Sequence, residues 1–277
     1  IGGEGTVGIV TGAVLQTVPA LIDRCVVWAG VTSPEAAYKL LLFMQTRARD
    51  RLEGFEILPK RALQAVLKHI NGTRPPLPGE YSWHALMEFV QDDGLQSPPA
   101  DFATALLGDA IDARLIENAA VAANETQAEA FWKIRDAIAE AERAEGPALQ
   151  HDISVPVADM ARFIEYESPV IEAQWQGTKT VAFGHLGDGN IHFHVKAPLA
   201  VDVAEWYAGD GKAITSHIYD RVHAYGGSLS AEHGIGQAKI DEFARLSEPA
   251  RLAALRAIKN ALDPLRIMNP GKLVPLA

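Results

Sequence analysis

Three of the nine histidines of this chain lie within ten residues, around a glycine-rich turn in the segment GHLGDGNIHFHV. An Asp-Gly pair between two apolar runs predicts a tight β-hairpin, here with Asp188 and Gly189 as its two-residue turn. In that register His185 lies directly opposite His192, and the alternation of side chains places His194 on the same face. Opposed residues on one face have Cβ atoms about 5 Å apart, so two imidazoles there can bind one metal ion.

A two-histidine site needs a further ligand, and the later segment SLSAEHGIGQAK offers one. Glu232 is a carboxylate of the type that binds divalent metals, and His233 can accept a proton near neutral pH. Adjacent side chains on an extended strand point to opposite faces, so both can serve one site only if the chain bends, as Gly234 allows. The alternatives are a polar hairpin edge with satisfied histidines and a glycine-containing loop that begins a helix.

The composition excludes several classes of partner. The chain has 277 residues, of which 48% are apolar and 22% charged, with a formal net charge of −10 and a pI near 5.4. Such an acidic chain lacks the basic surface that binding to nucleic acid requires. No apolar run reaches the ~18 residues of a membrane span. The single cysteine, Cys25, cannot form an internal disulfide, which fits a reducing, cytoplasmic compartment.

The pattern of apolar residues predicts one α+β domain. In the first half the predicted elements follow the order β-α-β-β-α-β with one inserted helix, which is the order of a ferredoxin-like unit. A long helix is predicted from Glu125 to about Arg143, and the second half then repeats the pattern loosely. We therefore predict a duplicated ferredoxin-like arrangement, in which βαβ units form one large antiparallel sheet with helices on one face.

The two histidine segments together resemble the C-terminal half of the FAD-linked oxidases. The resemblance rests on GHLGDGNIHFHV, SAEHGIGQAK and the closing LDPLRIMNPGKL. The opening GGEGTVGIVT resembles the last flavin-contacting turn of the family's FAD domain. The subgroup is that of D-lactate dehydrogenase, the glycolate oxidase flavin subunit and D-2-hydroxyglutarate dehydrogenase. It implies oxidation of a D-2-hydroxy acid to the 2-oxo acid with hydride transfer to FAD, and we expect a longer protein with an N-terminal FAD domain.

The resemblance also implies roles for individual residues. By the family's motif His185, His192 and Glu232 are ligands of a divalent metal, zinc or manganese. His233 matches the histidine that removes the proton of the substrate hydroxyl. Arg135, in the segment AFWKIRDAI, matches the family's carboxylate-binding arginine.

The sequence departs from the 2-hydroxyglutarate subgroup at three places near this site. Ala139 stands where a threonine is expected, Gln150 where the subgroup has a lysine, and His194 where an asparagine follows the second metal histidine. We expect Gln150 and His194 to contact the substrate. Because loss of the lysine removes a cation, a 2-hydroxy monocarboxylate fits the pattern at least as well as a dicarboxylate.

The expected domain boundaries follow from the same resemblance. Residues 1–20 are assigned to the end of an FAD-binding domain, and 21–237 to the substrate- and metal-binding domain. Residues 238–277 are expected to form a helical C-terminal segment that contacts the FAD domain. The residues expected to contact the flavin are Glu4, Gly5, Thr6, Gly8 and Asn269.

Two other interpretations of the same residues stay open. A zinc hydrolase would use the same three ligands with a metal-bound water as the nucleophile. A non-catalytic interaction domain would use the metal only to stabilise its fold. In the leading interpretation the partner is a small 2-hydroxy acid, the electron acceptor is left open, and a homodimer is compatible with the sequence.

Overall fold

Seven strands form one antiparallel sheet in the computed structural model, which describes residues 2–94 and 96–275. The strands are β1 (Asp23–Val31), β2 (Leu52–Pro59), β3 (Trp83–Gln91), β4 (Asn118–Val121), β5 (Ala148–Ser154), β6 (Lys179–His185) and β7 (Asn190–Lys196). The helices are α1 (Pro34–Ala48), α2 (Lys60–His69), α3 (Pro99–Asp112), α4 (Glu125–Asp136), α5 (Ile138–Ala144), α6 (Val157–Gln174), α7 (Val203–Ala208), α8 (Asp210–Ala224), α9 (Ile240–Leu246) and α10 (Pro249–Leu262). Residues 1, 276 and 277, at the outer ends of the two predicted terminal segments, lie outside the described residues.

The strand order is β4-β1-β3-β2-β6-β7-β5, which contains the ferredoxin-like arrangement twice. The first four strands make one complete unit. In the second unit β6, β7 and β5 repeat the order, and an isolated bridge between Ser154 and Ser228 takes the place of the fourth strand. The predicted α+β class and the large antiparallel sheet are confirmed.

Helices cover both faces of this sheet, whereas the sequence pattern predicted them on one. Alternate strand residues enter two separate apolar clusters. Helices α1, α3, α6 and α8 cover the larger cluster, and α2, α4 and α5 cover the smaller one, which contains Trp28 and Phe183. The reason is visible in β1, whose residues Cys25–Val31 are all buried and therefore need cover on both sides.

The predicted long helix is divided into α4 and α5, which meet at Ala137. The side chain of Asn124 caps the start of α4 by accepting a hydrogen bond from the backbone N–H of Gln127. Both helices lie on the face of the sheet that carries Phe183. They therefore place Arg135 above the end of β6.

The register of the histidine hairpin differs from the prediction by two residues. Phe183, rather than His185, lies opposite His192. The strand β6 leaves β7 at this point, and His185 pairs instead with Glu56 of β2. A shift of two residues preserves the face on which a side chain lies. His185 and His192 consequently remain on the same side of the sheet, with ring centroids 6.2 Å apart.

The connection between β6 and β7 contains four residues, 186–189, instead of the predicted two. The backbone N–H groups of Asp188 and Gly189 both approach the carbonyl oxygen of His185, at 3.4 and 3.1 Å. Gly189 has a φ of +83°, and a Cβ there would lie 2.1 Å from the carbonyl oxygen of Val155. Position 189 therefore requires glycine. The turn of four residues instead of two accounts for the shifted register of the hairpin.

The N-terminal segment combines a buried turn with an exposed apolar stretch. Thr6 is buried, and its carbonyl oxygen accepts a hydrogen bond of 2.6 Å from Lys259. Residues 8–21 are neither helix nor strand, and apolar side chains such as Ile9 and Val14 are almost fully exposed. None of the helices in the described part of the chain has the length and apolarity that a membrane crossing requires.

Candidate active site

His185, His192 and Glu232 converge at the junction between the two ferredoxin-like units. One potential ligand atom from each lies within 4.8 Å of the others. The separation between His185 Nε2 and Glu232 Oε1 is 3.2 Å. Two imidazole nitrogens and one carboxylate oxygen form a donor set suited to a divalent cation. The structure thus brings together the three residues that the sequence singled out as ligands.

Two carboxylates hold the loop that carries Glu232 and His233. Asp152 is only 2% exposed, and its Oδ2 accepts hydrogen bonds from the backbone N–H groups of Glu232 and His233 at 2.9 and 2.8 Å. The carboxylate of Glu4 accepts two more, at 2.7 and 2.8 Å, from the N–H groups of residues 235–236. Burial opposes ionisation of Asp152, but these backbone hydrogen bonds keep its pKa below the ordinary value.

Gly234 supplies the bend that lets two adjacent side chains serve one site. Its φ is +76°, and a Cβ there would lie 2.7 Å from Glu4 Oε1. As a result Glu232 and His233 line the same cavity despite being neighbours in sequence. Both also line a second, larger cavity of about 850 Å³, to which Glu4 contributes.

Glu56 completes the site and was not predicted from the sequence. It is 2% exposed, its Oε1 binds Nδ1 of His185, and its Oε2 accepts a 3.0 Å hydrogen bond from Arg135 Nε. Burial opposes ionisation, but the hydrogen bond with His185 and the charge of Arg135 lower the pKa of Glu56. The one available signal was a lone carboxylate inside the apolar strand segment FEIL.

The environment of the two imidazoles suits ligation. Burial lowers the pKa of His192 to about 4, so this ring is neutral at physiological pH, as a metal ligand must be. The hydrogen bond with Glu56 raises the pKa of His185, so a metal ion that binds this ring has to displace a proton from it. Because Nδ1 of His185 faces Glu56, its Nε2 faces Glu232 and lies 3.1 Å from Arg135 Nη2. A carboxylate behind a ligand histidine orients the ring in many metal sites.

The predicted substrate-binding residues share one cavity of about 270 Å³ with His192 and Glu232, whereas His185 lines a different cavity. Arg135, Gln150, His192, His194 and His233 all line it. Gln150 and His194 are cross-strand partners on β5 and β7. The structure therefore places the arginine expected to bind the substrate carboxylate, the expected base and all three residues that depart from the 2-hydroxyglutarate subgroup around the same space.

Two further residues of this cavity region were not predicted from the sequence. His194 is buried, and its Nδ1 lies 2.5 Å from Oε2 of Glu142, which is also buried. The adjacent Arg143 lines the cavity from the last turn of α5. Neither residue stands out in the sequence, because charged residues near the end of a helix are most often solvated.

Most of the residues predicted to contact the flavin lie close together, but several of their polar groups form hydrogen bonds within the chain. The Asn269 side chain donates a 2.6 Å hydrogen bond to the carbonyl oxygen of Glu4. The hydroxyl of the buried Thr6 donates to a carbonyl within its own turn. Gly5 is exposed beside Asn269, whereas Gly8 lies in the exposed stretch that follows.

Fold and site together define a duplicated α+β domain with a cluster of two histidines and one carboxylate. An arginine and a further histidine lie in the cavity beside this cluster. Residues 22–273 match the family described as FAD linked oxidases, C-terminal domain. The chain belongs to that family.

Relatives align with almost the whole of this chain. D-2-hydroxyglutarate dehydrogenase of Xanthomonas citri pv. viticola is 31% identical over 274 residues, which are 99% of this chain and 56% of the relative. The mitochondrial D-2-hydroxyglutarate dehydrogenase of Arabidopsis thaliana is 29% identical over 275 residues, 99% of this chain and 47% of the relative. The chain spans about half the length of the curated relatives it matches.

Solved structures share the fold. A p-cresol methylhydroxylase with substrate bound has a TM-score of 0.65 at 11% identity, over 92% of this chain and 53% of that one. An alkyldihydroxyacetonephosphate synthase has a TM-score of 0.57 at 14% identity, over 98% and 48% of the two chains. Relatives include mitochondrial and bacterial proteins, so the cytoplasmic compartment stays a prediction. The homodimer also stays a prediction.

Proposed function

We propose that this chain is the substrate- and metal-binding part of an FAD-dependent dehydrogenase that oxidises a D-2-hydroxy acid to the 2-oxo acid. The observation that carries the proposal is the convergence of His185, His192 and Glu232 on one potential metal position, beside a cavity that His192 and Glu232 share with His233 and Arg135, in a chain of the FAD-linked oxidase family. Family membership favours this reaction over the hydrolase and the non-catalytic domain.

His185, His192 and Glu232 would hold a divalent metal, zinc or manganese. The donor set fits, because the three ligand atoms converge and Glu56 already orients the His185 ring. A bound metal would supply Lewis-acid chemistry that lowers the pKa of the substrate hydroxyl. The rest of the chemistry within this domain falls to its own side chains.

Arg135 binds the substrate carboxylate in this proposal. Its Nε is held by Glu56 and its Nη2 lies 3.1 Å from His185 Nε2, which fixes the direction of the guanidinium and leaves its remaining N–H groups for the cavity. A guanidinium in a fixed orientation can bind a carboxylate through two parallel hydrogen bonds. Gln150 and His194 close the same cavity from β5 and β7, where they would contact the rest of the substrate.

His233 accepts the proton of the substrate hydroxyl. Its side chain is 67% exposed, and its Nδ1 lies 3.9 Å from Oδ2 of Asp152. At that distance the two groups do not form a hydrogen bond, but a neutral imidazole keeps one nitrogen lone pair that can act as the base. FAD, when bound, supplies the acceptor for the hydride that leaves C2.

The domain assignment belongs to the same proposal. Residues 1–20 would end an FAD-binding domain, 21–237 would form the substrate and metal domain, and 238–277 would contact the FAD domain. Gly5, Gly8 and the exposed Asn269 are the parts of the predicted flavin site that stay accessible, since Glu4 and Thr6 bond within the chain.

The test is reduction of the bound flavin. Protein that carries this chain with FAD bound is mixed anaerobically with D-lactate, glycolate or D-2-hydroxyglutarate, and the flavin absorbance is followed. We expect bleaching by at least one of these acids and its loss after treatment with a chelator. The L-enantiomers of the two chiral acids serve as controls. Failure of all three acids to reduce the flavin of a metal-loaded preparation would contradict the proposal.

A further inference from the structure

Arg143 lies at the edge of the candidate active-site cavity and has no ionic partner among the residues that the structure describes. It lines the cavity together with Arg135, and within the described part of the chain its guanidinium makes no ion pair or hydrogen bond. Nearby Lys196 donates to the carbonyl oxygens of Glu142 and Gly146, at 2.7 and 3.4 Å, so it brings positive charge but no carboxylate. Among the described residues Arg143 therefore has no carboxylate partner, although Asp136 and Glu232 also line the cavity.

The carboxylates adjacent to Arg143 are committed to other groups. Glu142 binds His194 at 2.5 Å. Glu145 binds Lys68 at 2.9 Å and approaches His69 Nε2 at 3.2 Å. Because both carboxylates are paired elsewhere, none of the described residues neutralises the Arg143 guanidinium, which can bind an added anion.

A further cavity adjoins the 270 Å³ active-site cavity at Arg143. It has a volume of about 390 Å³, and Arg143 and Gln150 belong to the walls of both cavities. Tyr207 also lines this cavity and donates a 3.1 Å hydrogen bond to the carbonyl oxygen of Ala148. A molecule longer than a simple 2-hydroxy acid can therefore extend from the metal-ligand cluster past Gln150 to Arg143.

The spacing of the two arginines fits a substrate with an anion at each end. Arg135 and Arg143 are eight residues apart on the nearly continuous helices α4 and α5. At a rise of 1.5 Å per residue their backbones are about 12 Å apart along the axis, so the two side chains reach the cavity from opposite ends. One guanidinium can take the carboxylate next to the reacting carbon, and the other a carboxylate several bonds away.

We infer that Arg143 binds a second carboxylate of the substrate, so that the site selects 2-hydroxy dicarboxylic acids over monocarboxylic ones. The inference rests on the proposed function and reverses the expectation drawn from Gln150. Gln150 carries no positive charge, and Arg143 of α5 provides the cation that a lysine would have supplied there. A carboxylate held by a guanidinium through charge-assisted hydrogen bonds gains roughly 10–100-fold in affinity.

Binding of two acids that differ only in the second carboxylate tests this inference. D-2-hydroxyglutarate and D-2-hydroxyvalerate have the same carbon chain, and calorimetry measures the affinity of each for the Zn²⁺-loaded chain. We expect the wild-type chain to bind the diacid about 10–100-fold more tightly. Arg143→Met should abolish this preference and leave valerate binding unchanged, while Arg143→Lys should keep part of it as a point charge.

The matched control is Arg162→Met, which removes an exposed arginine from α6, on the opposite face of the sheet. It should change neither affinity. Equal binding of the two acids by the wild type, no measurable binding of either, or an equal loss of both in Arg143→Met would overturn the inference. Turnover by the flavin-loaded protein separates the two proposals: if neither acid reduces the flavin, the proposed function fails, and the binding preference still decides the role of Arg143.

Discussion

Glu56→Gln is expected to weaken metal binding by this chain about 10–100-fold, because removing the carboxylate behind a ligand histidine typically has that effect. Glu56 contacts Nδ1 of His185 with one oxygen and Nε of Arg135 with the other. Glutamine keeps the shape but has no charge, and it can satisfy only one of these donors with its single carbonyl oxygen. The expected change in affinity corresponds to about 1.4–2.7 kcal/mol.

The same substitution also lowers the free energy of unfolding. Removing one partner of a buried ion pair costs about 3–5 kcal/mol, because the remaining charge is left uncompensated. The Arg135 side chain is 14% exposed to solvent, so water compensates part of its charge. The lower end of that range therefore applies. A domain with about 5–15 kcal/mol of stability stays folded after such a loss.

Calorimetric titration of the purified chain with Zn²⁺ measures the change in affinity, and urea unfolding measures the change in stability. The matched control is Glu53→Gln, an exposed glutamate on the same strand, which should alter neither value. Unchanged zinc affinity in a folded but less stable Glu56→Gln variant would refute the argument, since Glu56 would then support the sheet without orienting His185.

Three further outcomes are expected. His233→Asn should slow flavin reduction by a D-2-hydroxy acid about 10²–10⁴-fold while metal stays bound, whereas His192→Ala should lose the metal. Equal loss of metal in both variants would make His233 a ligand. Burial lowers the pKa values of His84 and His151 from 6.5 to about 4, so the unfolded chain binds protons that the folded chain excludes. Stability should therefore fall as the pH drops from 6.5 towards 4, and urea midpoints that stay constant over this range would contradict it. The purified 277-residue chain should show no stoichiometric flavin absorbance in its visible spectrum, because it offers few accessible flavin contacts. A chain that retains flavin through purification would count against this.

The site was predictable from the sequence where it depends on periodicity. Side chains alternate along a strand, so His185 and His192 lie on one face whether the turn has two residues or four. The bend at Gly234 was predictable for a similar reason, because only a bend lets Glu232 and His233 share a cavity. The register itself was not, since it depends on Gly189 fitting against a strand end that is distant in sequence.

Glu56 and Arg143 were not predictable because their roles come from contacts between distant segments. Glu56 meets His185 only because β2 and β6 lie side by side in the sheet. Arg143 has no ion-pair partner among the described residues, since Glu142 and Glu145 bind residues of β7 and α2. The helices on the second face of the sheet were not predictable either, because strand patterns show that a face is apolar without showing which helix covers it.

The pairing of β2 with β6 makes the site sensitive to the alignment of the two halves of the sheet. Two residue pairs, Glu56–His185 and Ile57–Gly184, connect the strands, together with a hydrogen bond from Leu186 N–H to the Phe55 carbonyl oxygen. One of these pairs is also the contact that orients a candidate ligand. A small slip between the halves would therefore misalign His185 before either core opened. On gradual heating, metal affinity should decline at lower temperatures than global secondary structure.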